Sequence, residues 1–266
     1  MSVDSRKERT HAKVTLPADR IQLIRERLRK EGRVVAAELA LQFGVSEDSV
    51  RRDLRELAAE GVCQRVYGGA IAMSPTPHNI AYRSEVNVER KDQLARAAAR
   101  LVHAGQLVFL DASTTNLAIA RHLPQGIGLT VATNSPSIAV ALIERTDIEV
   151  LLIGGRMDHV VGGTLGVGAL QELQQMHPDL CFLGVCSVDP EVGVCSGGAE
   201  DSAFKRALVS GCGAIITAVT NEKLGTAAPY FVARLAEISH LVVEADADRG
   251  QLDRIRTAGV EIVLAG

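Results

Sequence analysis

Arginines and short polar residues share one face of a helix that we predict over residues 46–60. On a helical wheel the apolar residues Val50, Leu54 and Leu57 gather on the opposite side. The polar face and its start comprise Ser46, Asp48, Ser49, Arg51, Arg52 and Arg55. An arginine can donate two hydrogen bonds to guanine in the major groove, and short side chains near a helix start can approach base edges. This pattern favours a DNA-reading helix over the alternative, an ordinary solvated charged face.

The residues before this helix predict how it is held. Residues 36–43 repeat apolar side chains at positions i, i+3, i+4 and i+7, which indicates a helix with one buried face. Gly44 can end that helix in the left-handed region, and Ser46 is a good N-cap for the next one. Two helices joined so tightly must cross at a steep angle, as in a helix-turn-helix. A helix predicted over residues 20–31 completes the core.

The residues after the polar helix predict a hairpin. Apolar residues alternate through residues 62–71, and the pair Gly68-Gly69 suits a turn that needs a positive φ. A hairpin directly after a DNA-reading helix is a wing, whose Arg65 and Tyr67 could contact phosphate or the minor groove. The alternative is a hairpin that only stabilises the domain.

The rest of the chain alternates apolar runs with helical segments. Strands are predicted over residues 107–110, 129–132, 149–153, 180–186, 214–219, 241–243 and 261–264. Helices are predicted over residues 88–103, 114–122, 136–144, 165–176, 200–210, 229–236 and 249–258. This alternation predicts an α/β fold with a mostly parallel sheet. The predicted organisation is a mobile tail (1–18), a winged helix-turn-helix (19–72), a linker (73–87) and an α/β effector-binding and oligomerisation domain (88–266).

Polar residues follow the first of these strands. Ligands of parallel sheets bind outside the carboxyl ends of the strands, so these residues are candidates for a pocket. Ser113, Thr114 and Thr115 open a helix, where free N–H groups and hydroxyls can cradle a phosphate. Asp111 would instead accept hydrogen bonds from ligand hydroxyls. The alternative is N-capping by Ser113 or Thr114 alone.

Other strand ends extend the candidate pocket. Asn134 follows the second strand, and Gly155 follows the third, where a missing Cβ permits close approach. Lys223 follows a later strand as a possible cation for phosphate. Lys205 lies one helical turn after an acidic pair at residues 200–201, a spacing that also produces ordinary surface ion pairs.

The chain resembles the DeoR family of bacterial transcription regulators in both halves. In the first half the resemblance rests on Arg51-Arg52-Asp53-Leu54 and on the run from Arg65 to Ala70. Ser49 and Tyr67 depart from the family pattern, which commonly has Thr and His there. From Val88 to Asp246 the chain looks like the DeoR-type sensor domain, which is similar to ribose-phosphate isomerases and glucosamine-phosphate deaminases.

The resemblance implies a sugar-phosphate pocket in the second half. It implies a phosphate loop made of Asp111, Ser113, Thr114 and Thr115. It implies that the rest of the pocket is lined by Asn134, Gly155, Lys205 and Lys223. It also suggests a homo-oligomer.

The composition bounds the class of protein. Of the 266 residues, 47% are apolar, which is enough for a sizeable core. The net charge is -3, yet residues 1–75 carry 14 Lys and Arg against 11 Asp and Glu, so the basic balance lies with the predicted winged helix. Five cysteines without CxxC spacing and scattered histidines predict neither a disulfide framework nor a metal site, and we expect no cofactor. Without a membrane-length apolar run or a signal peptide, we expect a cytoplasmic protein without a membrane partner.

Together with the resemblance to the DeoR family, these patterns predict a sequence-specific transcriptional repressor that binds double-stranded operator DNA and is controlled by a phosphorylated sugar or related metabolite. The sequence lacks GxGxxG, GxxxxGK[ST] and GxSxG runs, which argues against dinucleotide, nucleoside triphosphate and serine-hydrolase chemistry. We expect no enzymatic activity. One alternative is a sugar-phosphate isomerase or deaminase with an accessory DNA-binding domain. Another is an architectural DNA binder whose large domain only oligomerises.

Overall fold

The computed structural model describes residues 16–75 and 79–266. The chain divides between Met73 and Ser74 into two compact units. Most of the predicted tail over residues 1–18 therefore lies outside the described residues, and so do residues 76–78 of the predicted linker. Each unit has its own apolar core.

The first unit is a helix-turn-helix with a small sheet. Its elements are α1 (Pro17–Glu31), β1 (Arg33–Val35), α2 (Ala36–Phe43), α3 (Glu47–Ala59), β2 (Cys63–Val66) and β3 (Gly69–Ala72). The predicted turn between α2 and α3 is confirmed, because Gly44 has a φ of 67° and Ser46 caps α3 by accepting from Ser49 N. Ile24, Leu39 and Leu57 are buried in the core between the helices.

The predicted hairpin is confirmed, and the structure adds a strand to it. β3 lies between β1 and β2 in an antiparallel sheet, and Gly68 has a φ of 78° in the turn. β1 has three residues, too few to show an alternating pattern in the sequence. A Cβ atom on Gly69 would lie 2.0 Å from the carbonyl oxygen of Val34, so glycine is what allows β1 to join the hairpin here.

A buried ion pair joins α1 to α3. Arg20 Nε lies 2.5 Å from Asp53 Oδ2, Arg20 Nη2 lies 2.9 Å from Oδ1, and the two side chains are only 6% and 5% exposed. The hydrogen bond from Arg20 to Asp53, assisted by the carboxylate charge, raises the pKa of Arg20. A charged residue next to Arg52 on a helix with a polar face would ordinarily lie at the surface, whereas the structure places Asp53 inside. Because both charged groups are buried away from water, each needs the opposite charge of the other to offset its lost hydration.

The second unit is an α/β fold. Its strands are β4 (Leu107–Leu110), β5 (Leu129–Thr133), β6 (Ile148–Leu152), β7 (Arg156–Asp158), β8 (Gly163–Leu165), β9 (Leu180–Phe182), β10 (Ser187–Asp189), β11 (Gly193–Ser196), β12 (Ala214–Val219), β13 (Tyr230–Ala233), β14 (His240–Glu244) and β15 (Glu261–Ala265). Its helices are α4 (Ile80–Glu85), α5 (Val88–Ala99), α6 (Thr114–His122), α7 (Pro136–Ala141), α8 (Val167–Leu173), α9 (Ala199–Gly211) and α10 (Arg249–Arg256).

A parallel sheet forms the centre of this unit. Among the described residues its strand order is β15–β14–β12–β9–β4–β5–β6, and each neighbouring pair is parallel. Successive side chains of a strand enter different cores, since Phe109 packs in one cluster and Leu110 in the other. The predicted fold class is confirmed: an N-terminal winged helix-turn-helix is joined to a mostly parallel α/β domain.

Two small antiparallel sheets depart from the predicted alternation. β7 pairs with β8, and β11 lies between β10 and β13. The helix predicted over residues 229–236 is wrong: Tyr230–Ala233 is strand β13, followed by a 3-10 turn at Leu235–Glu237. The run Tyr-Phe-Val favours a strand, and its pairing with β11 satisfies the backbone. Leu165 ends β8, so the helix predicted from residue 165 begins at Val167.

Helix α4 lies within the segment that the sequence assigned to a linker. Asn79 caps it by accepting from Tyr82 N. Ile80 N donates to His159 O at 3.4 Å, and Lys91 Nζ donates to Arg83 O at 2.5 Å. These bonds attach α4 to the second unit. Helix α4 has only six residues, which are too few to produce a detectable apolar period.

The buried pair Arg20–Asp53 yields a stability prediction. Replacing Asp53 by Ala leaves the Arg20 guanidinium uncompensated, so we expect Asp53→Ala to lower the free energy of unfolding of the first unit by about 3–5 kcal/mol. The measurement is urea denaturation of the full chain, followed by hydrogen exchange of α1 and α3 peptides. The control is Asp48→Ala, whose side chain is 86% exposed and which we expect to change that free energy by about 0.5 kcal/mol or less. Equal effects of the two variants would contradict a stabilising role for the pair.

Candidate functional site

The first candidate site is the outer face of α3. Arg51, Arg52 and Arg55 are all exposed, as the helical wheel predicts. The Arg51 guanidinium is engaged locally, 2.8 Å from Glu47 Oε2 and 3.4 Å from Asp48 Oδ1. Arg55 Nε donates to the carbonyl oxygen of Arg51 at 3.3 Å. Within the described chain, Arg52 has no side-chain hydrogen bond or ion pair. Its guanidinium is therefore available without first breaking another contact.

The start of α3 and the turn of the wing present the other predicted DNA contacts. Ser46 Oγ and Ser49 Oγ are 3.0 Å apart, so the two hydroxyls are tied to each other at the helix start. Asp48 and Arg65 are exposed. Tyr67 is fully exposed beside the Gly68 turn, and no apolar contact explains an aromatic ring at this place. Its role as a DNA contact stays a prediction.

The second candidate site is a pocket of about 420 Å³ in the second unit. It opens where β4 and β9 end, at the carboxyl edge of the parallel sheet, which is where such folds bind ligands. Three backbone segments form most of its wall: residues 112–113 after β4, residues 184–186 after β9, and residues 197–201 at the start of α9. Other wall residues are Arg83, Asp158, Val160, Val161, Leu165 and Lys205.

A buried charge network lies at the base of the pocket. Lys205 Nζ is 2.8 Å from Asp111 Oδ2 and 2.5 Å from Asp201 Oδ1. Gly184 N donates to Asp111 Oδ2 at 2.8 Å, and Ser196 Oγ donates to Asp201 Oδ2. Burial by itself lowers the pKa of Lys205, but the two carboxylates outweigh it and raise that pKa. Burial raises the pKa of Asp111, which Lys205 only partly opposes.

Two helix starts and one arginine face the pocket with unused donor capacity. Ser113 caps α6, and Gly198 begins α9 without a side-chain cap. A helix start carries free N–H groups and a partial positive charge. Arg83 donates through Nη2 to Val160 O at 2.6 Å, while its Nε is buried without a hydrogen-bond partner among the described residues. These groups suit an anion, whereas the Asp158 and Glu200 carboxylates suit hydroxyls.

The predicted pocket residues do not all lie on the pocket wall. Ser113 and Lys205 are on the wall, and Asp111 is fully buried behind it. Lys223 lies near the wall, with its Nζ donating to Val185 O at 2.7 Å, and burial lowers its pKa. Its ammonium therefore supports the loop after β9, and its role as a ligand contact stays a prediction.

The remaining predicted residues, Thr114, Thr115, Asn134 and Gly155, are not on the pocket wall. Asn134 is fully buried, where its Oδ1 accepts from Ala112 N and its Nδ2 donates to Thr164 O. A Cβ atom on Gly155, at a φ of 143°, would lie 2.8 Å from Leu165 O, so this glycine permits the close approach of β8. Both residues hold neighbouring loops in place.

The sequence does not identify Arg83 as a pocket residue, and it does not indicate that Asp201 is buried. Arg83 lies in a short segment without periodicity, and nothing in the sequence relates it to strand ends about 30 residues further on. Asp201 and Lys205 have helical spacing, which the sequence could not distinguish from a surface pair. The buried strand end at Asp111 was the one available signal, because a carboxylate there requires a cation.

Among the described residues, no group of three or more His, Cys, Asp or Glu side chains could hold a metal ion. No helix in residues 16–75 or 79–266 is long and apolar enough to span a membrane.

The buried network makes a pH-dependent prediction. In Lys205→Met, Asp111 loses its cation, so its folded-state pKa, which burial already raises, rises further above the unfolded value and folding takes up a proton. We therefore expect the variant to be strongly destabilised at pH 8 and to regain stability as the pH falls towards 5. Urea denaturation at several pH values measures this. Arg254→Met, an exposed cation in the same unit, is the control. The same pH dependence in both variants would show that the network does not set it.

Comparison with known proteins follows the same division of the chain. The model of the DeoR-like helix-turn-helix domain matches residues 20–76, and that of the DeoR C terminal sensor domain matches residues 86–245. The HTH-type transcriptional repressor GlcR of Bacillus subtilis (strain 168) is 31% identical over 92% of this chain and 95% of its own length. The glycerol-3-phosphate regulon repressor of Escherichia coli (strain K12) is 29% identical over 75% of this chain and 80% of its own.

Among solved structures, the sorbitol operon regulator SorC from Klebsiella pneumoniae aligns with 89% of this chain and 98% of its own at 10% identity and a TM-score of 0.41. The family assignment rests on the matched domains, since the sensor model alone covers more than half of the chain. The chain belongs to the DeoR family and is a DNA-binding transcriptional regulator.

Proposed function

We propose that this regulator is a repressor that reads its operator through α3 and releases it when a phosphorylated sugar or related metabolite fills the pocket at the end of β4 and β9. The observation that carries the proposal is the combination, in one chain, of an unengaged arginine on α3 and a pocket with unused donors. The two relatives described above are named repressors, and one is named for the glycerol-3-phosphate regulon, which agrees with this assignment.

The DNA part of the proposal assigns different roles to the arginines of α3. Arg52 has no competing contact within the described chain, so it can donate to a base edge at no cost in broken bonds. Arg51 already bonds to two carboxylates, so its residual charge suits a phosphate. Arg65 and Tyr67 on the wing, with Ser46, Asp48 and Ser49 at the helix start, are assigned to the surrounding backbone and base edges. Arg55 extends the basic face by one turn.

Arg52→Ala tests this division. If Arg52 reads a base, the variant loses about 1–3 kcal/mol of operator affinity and tolerates changes at one base pair. Sites are first selected from random duplexes with the wild-type protein, and binding to selected and scrambled duplexes is then measured by fluorescence anisotropy at one fixed salt concentration. Arg51→Ala is the matched control, for which we expect similar losses on both duplexes. If Arg52→Ala also weakens both duplexes equally, Arg52 contacts only phosphate.

The effector part of the proposal follows from the mixed chemistry of the pocket. A phosphate suits the helix starts at Ser113 and Gly198 and the buried Nε of Arg83. The carboxylates of Asp158 and Glu200 suit the hydroxyls of a polyol. Lys205 contributes little free charge, because Asp111 and Asp201 neutralise it. A phosphorylated polyol satisfies both kinds of wall, because its phosphate meets the donors and its hydroxyls meet the carboxylates.

Thermal unfolding tests the effector. Pentose phosphates, hexose phosphates, glycerol 3-phosphate and their unphosphorylated parents are added to the full chain. We expect one phosphorylated compound to raise the melting temperature, since binding stabilises by about 2.7 kcal/mol at about 100 times Kd. Arg83→Ala should weaken that binding by about ten- to a hundredfold, because a charge-assisted hydrogen bond is lost. Arg121→Ala, at the exposed far end of α6, is the control. A stronger response to an unphosphorylated parent would contradict the assignment.

The pocket is assigned to binding rather than to catalysis. An isomerase or deaminase needs a carboxylate free to accept a proton. Asp111 is paired with Lys205, and Glu200 is paired with Arg156. Both carboxylates are therefore already engaged by a cation. Formation of product from pentose or hexose phosphates, followed by NMR, would overturn this assignment.

The remaining step couples the pocket to the operator. A ligand changes DNA binding only if it prefers one arrangement of the regulator to another. We propose that the segment over residues 73–87 transmits this preference, because its helix α4 carries Arg83 into the pocket wall. Paired winged helices on a two-fold operator require a homo-oligomer.

A further inference from the structure

Lys91 bridges the junction between α4 and α5. Its backbone lies in the first turn of α5, where Lys91 N donates to Asn87 O at 3.0 Å. Its side chain extends back towards α4, and Nζ donates to Arg83 O at 2.5 Å and to Val86 O at 2.7 Å. Lys91 is partly buried. A single ammonium group thus bonds the end of one helix to the start of the next.

Helix α4 depends on contacts of this kind. A helix of six residues is not stable in isolation, and its last carbonyl oxygens have no partner within the helix. Asn79 caps the start of α4. At the other end, the carbonyl oxygens of Arg83 and Val86 accept from Lys91. A cation at this end also interacts favourably with the helix dipole.

Helix α5 holds Lys91 in a fixed place. Leu94 and Ala95, which follow Lys91 by about one turn, are fully buried in the core of the second unit. The neighbouring Arg90 pairs with Glu244 at the end of β14. The position of Lys91 is therefore set by the central sheet, and the end of α4 is bonded to it.

We propose that Lys91 is the positioning residue that holds Arg83 in the pocket wall. Arg83 Nη2 donates to Val160 O at 2.6 Å, and its Nε has no hydrogen-bond partner among the described residues. One of the two carbonyl oxygens that Lys91 bonds is that of Arg83 itself, so the contact fixes the backbone from which the guanidinium extends. Lys91 is not a wall residue, so it acts through Arg83 and not on a ligand. The inference rests on the proposed function only for the role of Arg83 in binding an anion.

Lys91 also adds positive charge behind Arg83. The charged groups that face it are Lys223 and Arg83, which repel it, and Glu222, which attracts it. Burial, together with the two cations, lowers the pKa of Lys91 to about 8, so the ammonium is the main form at pH 7. Positive charge from three elements therefore meets on the Arg83 side of the pocket, where it favours an anion over a neutral ligand.

Limited digestion of the full chain with trypsin at pH 7, without DNA or sugar phosphates, tests the positioning role. Trypsin cuts after Arg83 only when α4 unfolds locally and Arg83 leaves the wall, so the rate of this cut follows the open population. We expect Lys91→Met to accelerate the cut about tenfold or more, because two charge-assisted hydrogen bonds are lost. Lys91→Arg keeps the charge and can donate to both carbonyl oxygens, so it should be cut at nearly the wild-type rate.

Mass spectrometry identifies the cut, and Arg96→Met is the matched control. It removes an exposed cation from the same helix and should leave the rate after Arg83 unchanged. Equal rates in the wild-type chain and Lys91→Met, or equally fast rates in Lys91→Met and Lys91→Arg, would overturn the proposal. If circular dichroism shows that Lys91→Met does not fold, Lys91→Gln takes its place with the same expectation, since its side chain is uncharged and one bond shorter.

Hydrogen exchange at pH 7 shows whether the effect is local. Amides of residues 83–86 should exchange faster in Lys91→Met than in the wild-type chain, whereas those of residues 107–110 in β4 should be unchanged. Faster exchange in β4 to the same extent would mean that Lys91 stabilises the whole unit, which would also overturn the positioning role.

Inorganic phosphate separates this inference from the proposed function. An anion bound at Arg83 should slow the cut after Arg83 in the wild-type chain, beyond the effect of sodium chloride at the same ionic strength. If phosphate has no such effect, the anion assignment of Arg83 is contradicted. The comparison of the Lys91 variants without phosphate decides the positioning role in either case.

Discussion

Lys205 is buried away from water at the carboxyl edge of the sheet. The carboxylates of Asp111 and Asp201 pair with its ammonium group and offset the lost hydration. The network fixes the end of β4 against the start of α9 and, through Gly184 N, against the loop after β9. These are the three segments that shape the pocket. Removing Lys205 would leave two carboxylates buried without a cation, which costs several kcal/mol per ion. The base of the pocket is thus held together by charge pairing.

Both units use the same solution to join their elements. In the first unit Arg20 and Asp53 connect α1 to α3 away from water, as Lys205 connects β4 to α9 in the second. A buried ion pair gains little over an apolar pair in stability, but it tolerates few alternative arrangements. The orientation of α3, and hence of Arg52, depends on such a contact. Helix α3 therefore carries one buried charged side chain, Asp53, that holds the fold together, and other charged side chains that are exposed to solvent.

The sequence predicts the helices and strands that have a strong apolar period. It also predicts the residues whose role depends only on their neighbours in the chain, such as turn and cap residues. The turn at Gly44, the cap at Ser46 and the central strands follow from neighbours in the chain. The resemblance predicts Lys205 as a pocket residue, but its spacing from residues 200–201 also fits a surface ion pair, because helical spacing does not reveal what packs against a helix. The sequence does not predict the strand at residues 230–233 because its partner, β11, lies far away in the sequence. The sequence predicts a pocket at the carboxyl edge of the sheet, where the structure has a cavity, but Arg83 enters its wall from a segment with no pattern of its own.

Helix α4 lies between the two matched domains, at residues 80–85, yet its hydrogen bonds attach it to the sensor unit. Ser74 already belongs to that unit, since its hydroxyl donates to Cys186 O at 2.7 Å. A hybrid regulator assembled from two family members should therefore be joined between residues 73 and 74. A junction at residue 86 would give the ligand pocket of one parent a wall from the other, and the hybrid would inherit neither parent's response.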